Sequence, residues 1–163
     1  MQTTIRSLFR AVSMGMLALV LSHCAGGQFN QDWNAAVAAR QSSAKPDPVT
    51  GPWTGTWLSQ MNGHHGNLRC LVEPVEATPG EVAAAENLYR FRYHATWGNL
   101  MRGGFKADFP VVKEGRNTYL VKGTKKVGLF GDFDHDGKIV GDSFNANYAS
   151  DVGDHGTFEM KRP

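Results

Sequence analysis

The chain has 163 residues, 41% of them hydrophobic, and a formal charge of +2, which allows one domain with a core of its own. Arg6 and Arg10 lie in the N-terminal segment, and without them Lys and Arg together equal the 15 Asp and Glu; a remainder so balanced gives no basic footprint, and no nucleic-acid partner is expected. Two cysteines, Cys24 and Cys70, exclude a disulfide framework if the first is modified, so the fold must rest on its apolar core.

Residues 1–23 carry the three parts of a secretory signal: Arg6 and Arg10 in a basic start, an apolar run from Ala11 to Leu21, then small and polar residues. A run of about 11 residues is short of the roughly 20 that a helix needs to cross a bilayer, so the segment reads as a cleaved signal peptide. Leu21-Ser22-His23-Cys24 resembles the bacterial lipobox, although His23 stands where a small residue is usual. That resemblance implies lipidation at Cys24, a membrane partner through the N-terminal lipid, and a place in the cell envelope as an outer-membrane or periplasmic-side lipoprotein. Ordinary cleavage near Gly26 or Gly27 would instead leave the protein secreted.

Residues 24–51 form a tether. Gln31 to Gln41 is Ala-rich, Asn30 precedes it as an N-cap, and Phe29, Trp33 and Val37 recur at i, i+4, i+8, which predicts one short helix that plugs or flanks the following domain. Pro46-Asp47-Pro48 and Gly51-Pro52 end helical structure.

From 52 to 163 the pattern becomes alternation broken by turn residues, as in an all-β fold. The first strand, Trp53 to Gln60, places Trp53, Gly55, Trp57 and Ser59 on one face. Asn67 to Glu73 places Leu68, Cys70 and Val72 together. The loop Pro74 to Asn87 suggests a helical turn near Glu81 to Glu86. Leu88 to Trp97 alternates most cleanly, with Tyr89, Phe91, Tyr93, Ala95 and Trp97 against Arg90, Arg92, His94 and Thr96. Gly104 to Lys113 follows, and its Pro110 implies a bulge, an edge or an incompletely closed barrel. Thr118 to Lys122 is a fifth strand ended by Gly123. Lys125 to Phe133 is a sixth, joined through an Asp134-His135-Asp136-Gly137 turn to Lys138 to Ala149, and Gly156 to Arg162 is the last. Successive hairpins without room for crossovers predict an antiparallel up-and-down barrel of about eight strands.

Gly55-Thr56-Trp57 on the first strand with Arg162 on the last resembles the calycin superfamily of lipocalins and avidins. The resemblance implies that Arg162 packs on Trp57 and closes one end of the barrel, and that the interior holds a small apolar or amphipathic ligand. Ser59 would stand where avidins place a polar ligand contact, whereas Gly156 stands where they place a carboxylate. The run from Trp53 through Asn62-Gly63-His64 to Leu68-Arg69-Cys70 also looks like exported bacterial proteins of no assigned activity.

The pocket expected from this reading has Ser59, Tyr93, Trp97 and Tyr148 as its candidate residues, few polar handles among apolar walls. Asp132-x-Asp134-x-Asp136-Gly137 matches the start of an EF-hand loop, but Ser143 stands at the twelfth position in place of the bidentate Glu. His64-His65, His94 and His155 lack the spacing of a zinc site, so no metal and no cofactor is expected. Arg69, Arg90, Arg92 and Lys106 form an exterior basic face that is either solvated or turned to anionic lipid headgroups or glycans. Cys70 reads as a small buried apolar residue. No Ser-His-Asp order or phosphate loop is present, and an enzyme is not expected. The alternative to ligand binding is a filled structural barrel acting as a protein-interaction module or protease inhibitor.

Overall fold

The computed structural model describes residues 27–76, 87–98, 101–126 and 131–163. The expected signal peptide (1–23), the expected modification of Cys24 and the expected helical turn at Glu81 to Glu86 lie outside them. One helix, α1 (27–42), precedes eight strands: β1 (Gly51–Ser59), β2 (His65–Pro74), β3 (Leu88–Trp97), β4 (Met101–Lys113), β5 (Thr118–Lys126), β6 (Asp132–Val140), β7 (Ser143–Ser150) and β8 (His155–Lys161). Each strand pairs antiparallel with the next, and β1 pairs with β8, so the sheet closes into an up-and-down barrel. Closure removes the free edges that an open sheet would present.

The inward positions follow the alternation of the sequence. Leu68, Cys70 and Val72 on β2, Phe91 and Tyr93 on β3, and Ala107, Phe109 and Val111 on β4 are all buried in one core. Pro110 sits opposite Leu88 on the β3 side and is exposed. The β4–β5 ladder begins only after it and has three pairs, Val111↔Val121 to Lys113↔Tyr119. The proline thus lies just outside the shortest seam of a barrel that is nonetheless closed.

The second half of the sheet departs from the sequence expectation. β5 runs unbroken through Gly123 to Lys126, and Asp134-His135-Asp136-Gly137 is the middle of β6, not a turn. The tight connection is Gly141-Asp142, flanked by the pair Val140↔Ser143. Gly141 has φ of 57°, left-handed backbone that glycine adopts without a Cβ clash. Gly123 and Gly137 serve a different purpose, because they leave room for inward rings. A Cβ on Gly123 would stand 2.6 Å from Phe109 Cδ1, and one on Gly137 would stand 2.8 Å from His135 Cε1 and 2.9 Å from Phe144 Cε2. Gly137→Ala is therefore expected to destabilise the barrel by about 1–3 kcal/mol through overpacking, read from urea unfolding; an unchanged midpoint would mean that those rings yield freely.

α1 flanks the barrel instead of plugging it. Phe29 and Trp33 bury against Leu71, an outward residue of β2, with Ala36 and Val37 packed beside them. Burial of each such side chain contributes about 1.5–3 kcal/mol. The exterior basic face is what the helix docks on. Arg92 donates to Asp32 Oδ2 at 2.6 Å and to Glu73 Oε1 at 3.2 Å, and Arg69 donates to Asn30 Oδ1 at 3.2 Å. Arg69 also lies over the Trp33 ring and Arg92 over Phe29, while Arg90 forks onto Asp108 at 2.8 and 2.9 Å. Asn30, expected as the N-cap, is instead within the helix and holds Arg69. The helix begins beside His94, which stacks on Phe29, and ends where Arg40 reaches Asp142 at 3.5 Å.

Candidate functional site

The two ends of the barrel differ. One end is shut by Arg162, whose guanidinium carbon lies 3.5 Å from the centre of the Trp53 ring. Its Nη1 donates to Thr50 O and Pro52 O at 3.0 Å each, and its Nη2 to Pro48 O at 2.7 Å. Trp53 in turn donates Nε1–H to Val49 O at 3.0 Å and meets Phe144 edge-on. The Arg162 partner is thus Trp53 and not Trp57. The reason lies in register: Trp57 faces Phe158 in the β1–β8 ladder and Thr54 faces Lys161, which carries Arg162 to the level of residue 53.

Above that plug the barrel is filled by aromatic rings around one imidazole. His135 is buried, stacked on Phe109 at 4.8 Å and tilted against Phe91, Phe144 and Phe158. Its Nδ1 faces Val121 O at 3.3 Å and its Nε2 faces Tyr93 Oη at 2.8 Å. A carbonyl can only accept, so Nδ1 carries the proton and Nε2 accepts from the tyrosine hydroxyl. Burial lowers the His135 pKa to about 4, against the opposing effects of the Val121 carbonyl and the Asp136 charge, and burial also pushes the Tyr93 hydroxyl well up. Cys70, opposite Tyr93 in the β2–β3 ladder, is pushed well up by burial too; a thiol kept protonated in this way is a poor nucleophile. This core pair was hidden within the Asp-rich motif. The signal that reveals it is the alternation of Phe133, His135, Gly137 and Ile139 with Asp132, Asp134, Asp136 and Lys138.

At the other end a cavity of about 390 Å³ opens, lined among others by Trp57, Leu68, Tyr93, Trp97, Phe105, Phe133, Tyr148, Asp154 and Phe158. This falls within the roughly 300–1,000 Å³ of small-molecule sites. Tyr93, Trp97 and Tyr148 of the expected pocket stand in its wall. Ser59 does not: it is buried, and its Oγ donates to Asp154 Oδ1 at 2.6 Å. Burial, then the Asp154 charge, raises the Tyr148 hydroxyl to about 12. Trp57 meets Trp97 edge-on at 6.2 Å and anchors its Nε1–H on Thr96 O at 3.1 Å.

At Gly156 a Cβ would stand 1.9 Å from Leu58 O, so no side chain fits at this crossing of β1 and β8, and the acid that meets Ser59 is Asp154 on the preceding turn. Asp154 is the feature that the sequence reading missed.

The Asp-x-Asp-x-Asp motif does not form a loop that could gather ligands. Its side chains line the outer face of β6, where Asp134 accepts from Thr124 at 2.5 Å and Asp136 from Lys122 at 3.0 Å. Among the described residues no group of three or more His, Cys, Asp or Glu is placed to hold a metal ion. His64 lines the cavity, while His65 and His155 are exposed and turn back to Gly63 O and Gly153 O. Among the same residues no helix is long and apolar enough to cross a membrane. No protein-family model, no curated protein and no solved structure matches the chain.

Proposed function

We propose that the protein is an exported, lipid-anchored envelope protein whose calycin-like barrel binds a small apolar or amphipathic ligand. The observation that carries this reading is the 390 Å³ cavity at one end of a barrel whose other end is packed solid. An evolved structural plug would have no reason to leave aromatic walls and a hydrogen-bonded carboxylate around empty space.

Two features support the finer parts of the proposal. An Arg stacked on a first-strand Trp at the closed end is what the calycin resemblance implies, with Gly51-Pro52-Trp53 supplying the Gly-x-Trp in place of Gly55-Thr56-Trp57. The start of α1 lies nearer the open end, beside His94, and Cys24 precedes residue 27 by three positions. A lipid on Cys24 would thus tether the barrel on its mouth side, where Leu58, Met61, Met101 and Val152 are exposed. An amphipathic ligand then enters from the membrane surface.

Native mass spectrometry of the protein purified from its own host tests the reading, and a retained small molecule in the barrel is the expected result. A barrel that carries none, takes up no apolar probe and copurifies with a protein bound at the mouth would overturn it in favour of the interaction module. Fatty-acid labelling that persists in Cys24→Ser would remove the anchor.

A further inference from the structure

We infer that the mouth cavity takes an organic cation, an ammonium or similar group borne on a flat apolar body, in preference to the corresponding anion. The inference rests on the ligand-binding reading and adds the charge of the ligand to it.

The first observation is the charge of the lining. Among the described residues Asp154 is its one acidic side chain and none of the lining is Lys or Arg, the other polar side chains including Asn62 and His64. An anion entering this space would lose water and meet a carboxylate, with no Lys or Arg among the described lining residues to pair with, which is unfavourable in a low-dielectric site. Lys125 at the end of β5 is exposed, and its charge acts on Asp108, which pairs with Arg90 on the outer face. It does not neutralise the cavity from within.

The second observation is where the polar protons go. Ser59 Oγ–H is donated to Asp154, and the Tyr93 hydroxyl, in the wall, is donated to His135 Nε2. Both hydroxyls are thus engaged within the protein, and that of Ser59, behind the wall, fixes the carboxylate. A carboxylate has about four acceptor positions, so the Ser59 donor leaves capacity for an ammonium.

The third is the aromatic wall. Trp57 and Trp97 meet edge to face, and Tyr148 stacks with Phe133 at 5.1 Å and with Phe158 at 5.0 Å. Ring faces attract a cation and also accommodate a planar apolar body. A volume of about 390 Å³ limits that body to one or two fused rings.

Three probes of one shape separate the possibilities: naphthylmethylammonium, naphthylmethanol and naphthoate, titrated at neutral pH into the full chain with Trp fluorescence and calorimetry. The cation is expected to bind about tenfold tighter than the alcohol, with the anion weakest, and Asp154→Asn is expected to bring the cation-to-alcohol ratio to about one. Adding salt should weaken the cation alone, a readout on the unmodified chain that does not depend on the variant folding. Equal binding of all three, or a preference for the anion, overturns the charge assignment and leaves ligand binding standing. If none of them binds, both readings fall.

Discussion

Arg162→Ala is expected to lower the free energy of unfolding by about 3 kcal/mol, the largest effect of any single substitution outside the aromatic core. The guanidinium does two things at once. It covers the Trp53 ring at 3.5 Å, a contact worth about 2 kcal/mol when shielded from water. It also supplies the hydrogen bonds for the carbonyls of Pro48, Thr50 and Pro52, where the chain turns from the tether into β1. Burial and the neighbouring Arg40 charge lower its pKa, yet three carbonyl oxygens facing one guanidinium favour the charged form. Arg162→Lys keeps the charge but neither the flat face nor the fork, so it should recover less than half of the loss. A double-mutant cycle with Trp53→Phe, followed by urea denaturation, should give a coupling of about 1 kcal/mol or more. Additive effects in that cycle, or full rescue by Lys, would show that Arg162 does not close the barrel end.

The same contact marks how far the sequence could be read. Strand alternation is a local property, and it put Trp53, Trp57, Tyr93, Trp97 and Tyr148 on the inward face without knowledge of any neighbour. The pairing of Arg162 with one of two tryptophans is a matter of register between the first and last strands, which local pattern leaves open. The Asp-rich segment, read as a hairpin turn from its Asp136-Gly137, failed for a related reason. Asp132, Asp134 and Asp136 recur at a spacing of two, which suits both a calcium loop and the outer face of a strand. Lys122 and Thr124 on β5 decide between them by standing opposite Asp136 and Asp134, a contact that exists only once the strands pair. Asp154 was invisible for a third reason. Its role depends on Ser59, 95 positions away, and on the exclusion of a side chain at Gly156.

The buried imidazole makes the protein acid-sensitive in a defined window. His135 titrates at about 4 in the folded barrel against an ordinary value of 6.5, so between these limits the unfolded chain binds a proton that the folded one refuses. Stability must therefore be complete above 6.5, fall as the pH is lowered through that window and level off below the folded value. The displacement corresponds to a loss of about 3 kcal/mol, of which about 2 is already gone at pH 5. His94, lowered by burial and by the charges of Arg69 and Arg102, acts in the same direction. The carboxylates Asp32 and Asp108 are held below 3.8 by Arg92 and Arg90, so their contributions are lost at lower pH and do not blur the upper window. Urea midpoints across pH 8 to 4 should thus show the slope, and the comparison variant is His135→Gln, whose amide oxygen can still accept from Tyr93 but does not titrate. The variant is expected to be less stable at pH 8 and nearly flat from there to pH 5, apart from the contribution of His94. A slope that survives His135→Gln unchanged would show that the proton is taken up elsewhere, and would contradict the assignment of Nε2 as an unprotonated acceptor sealed among the rings.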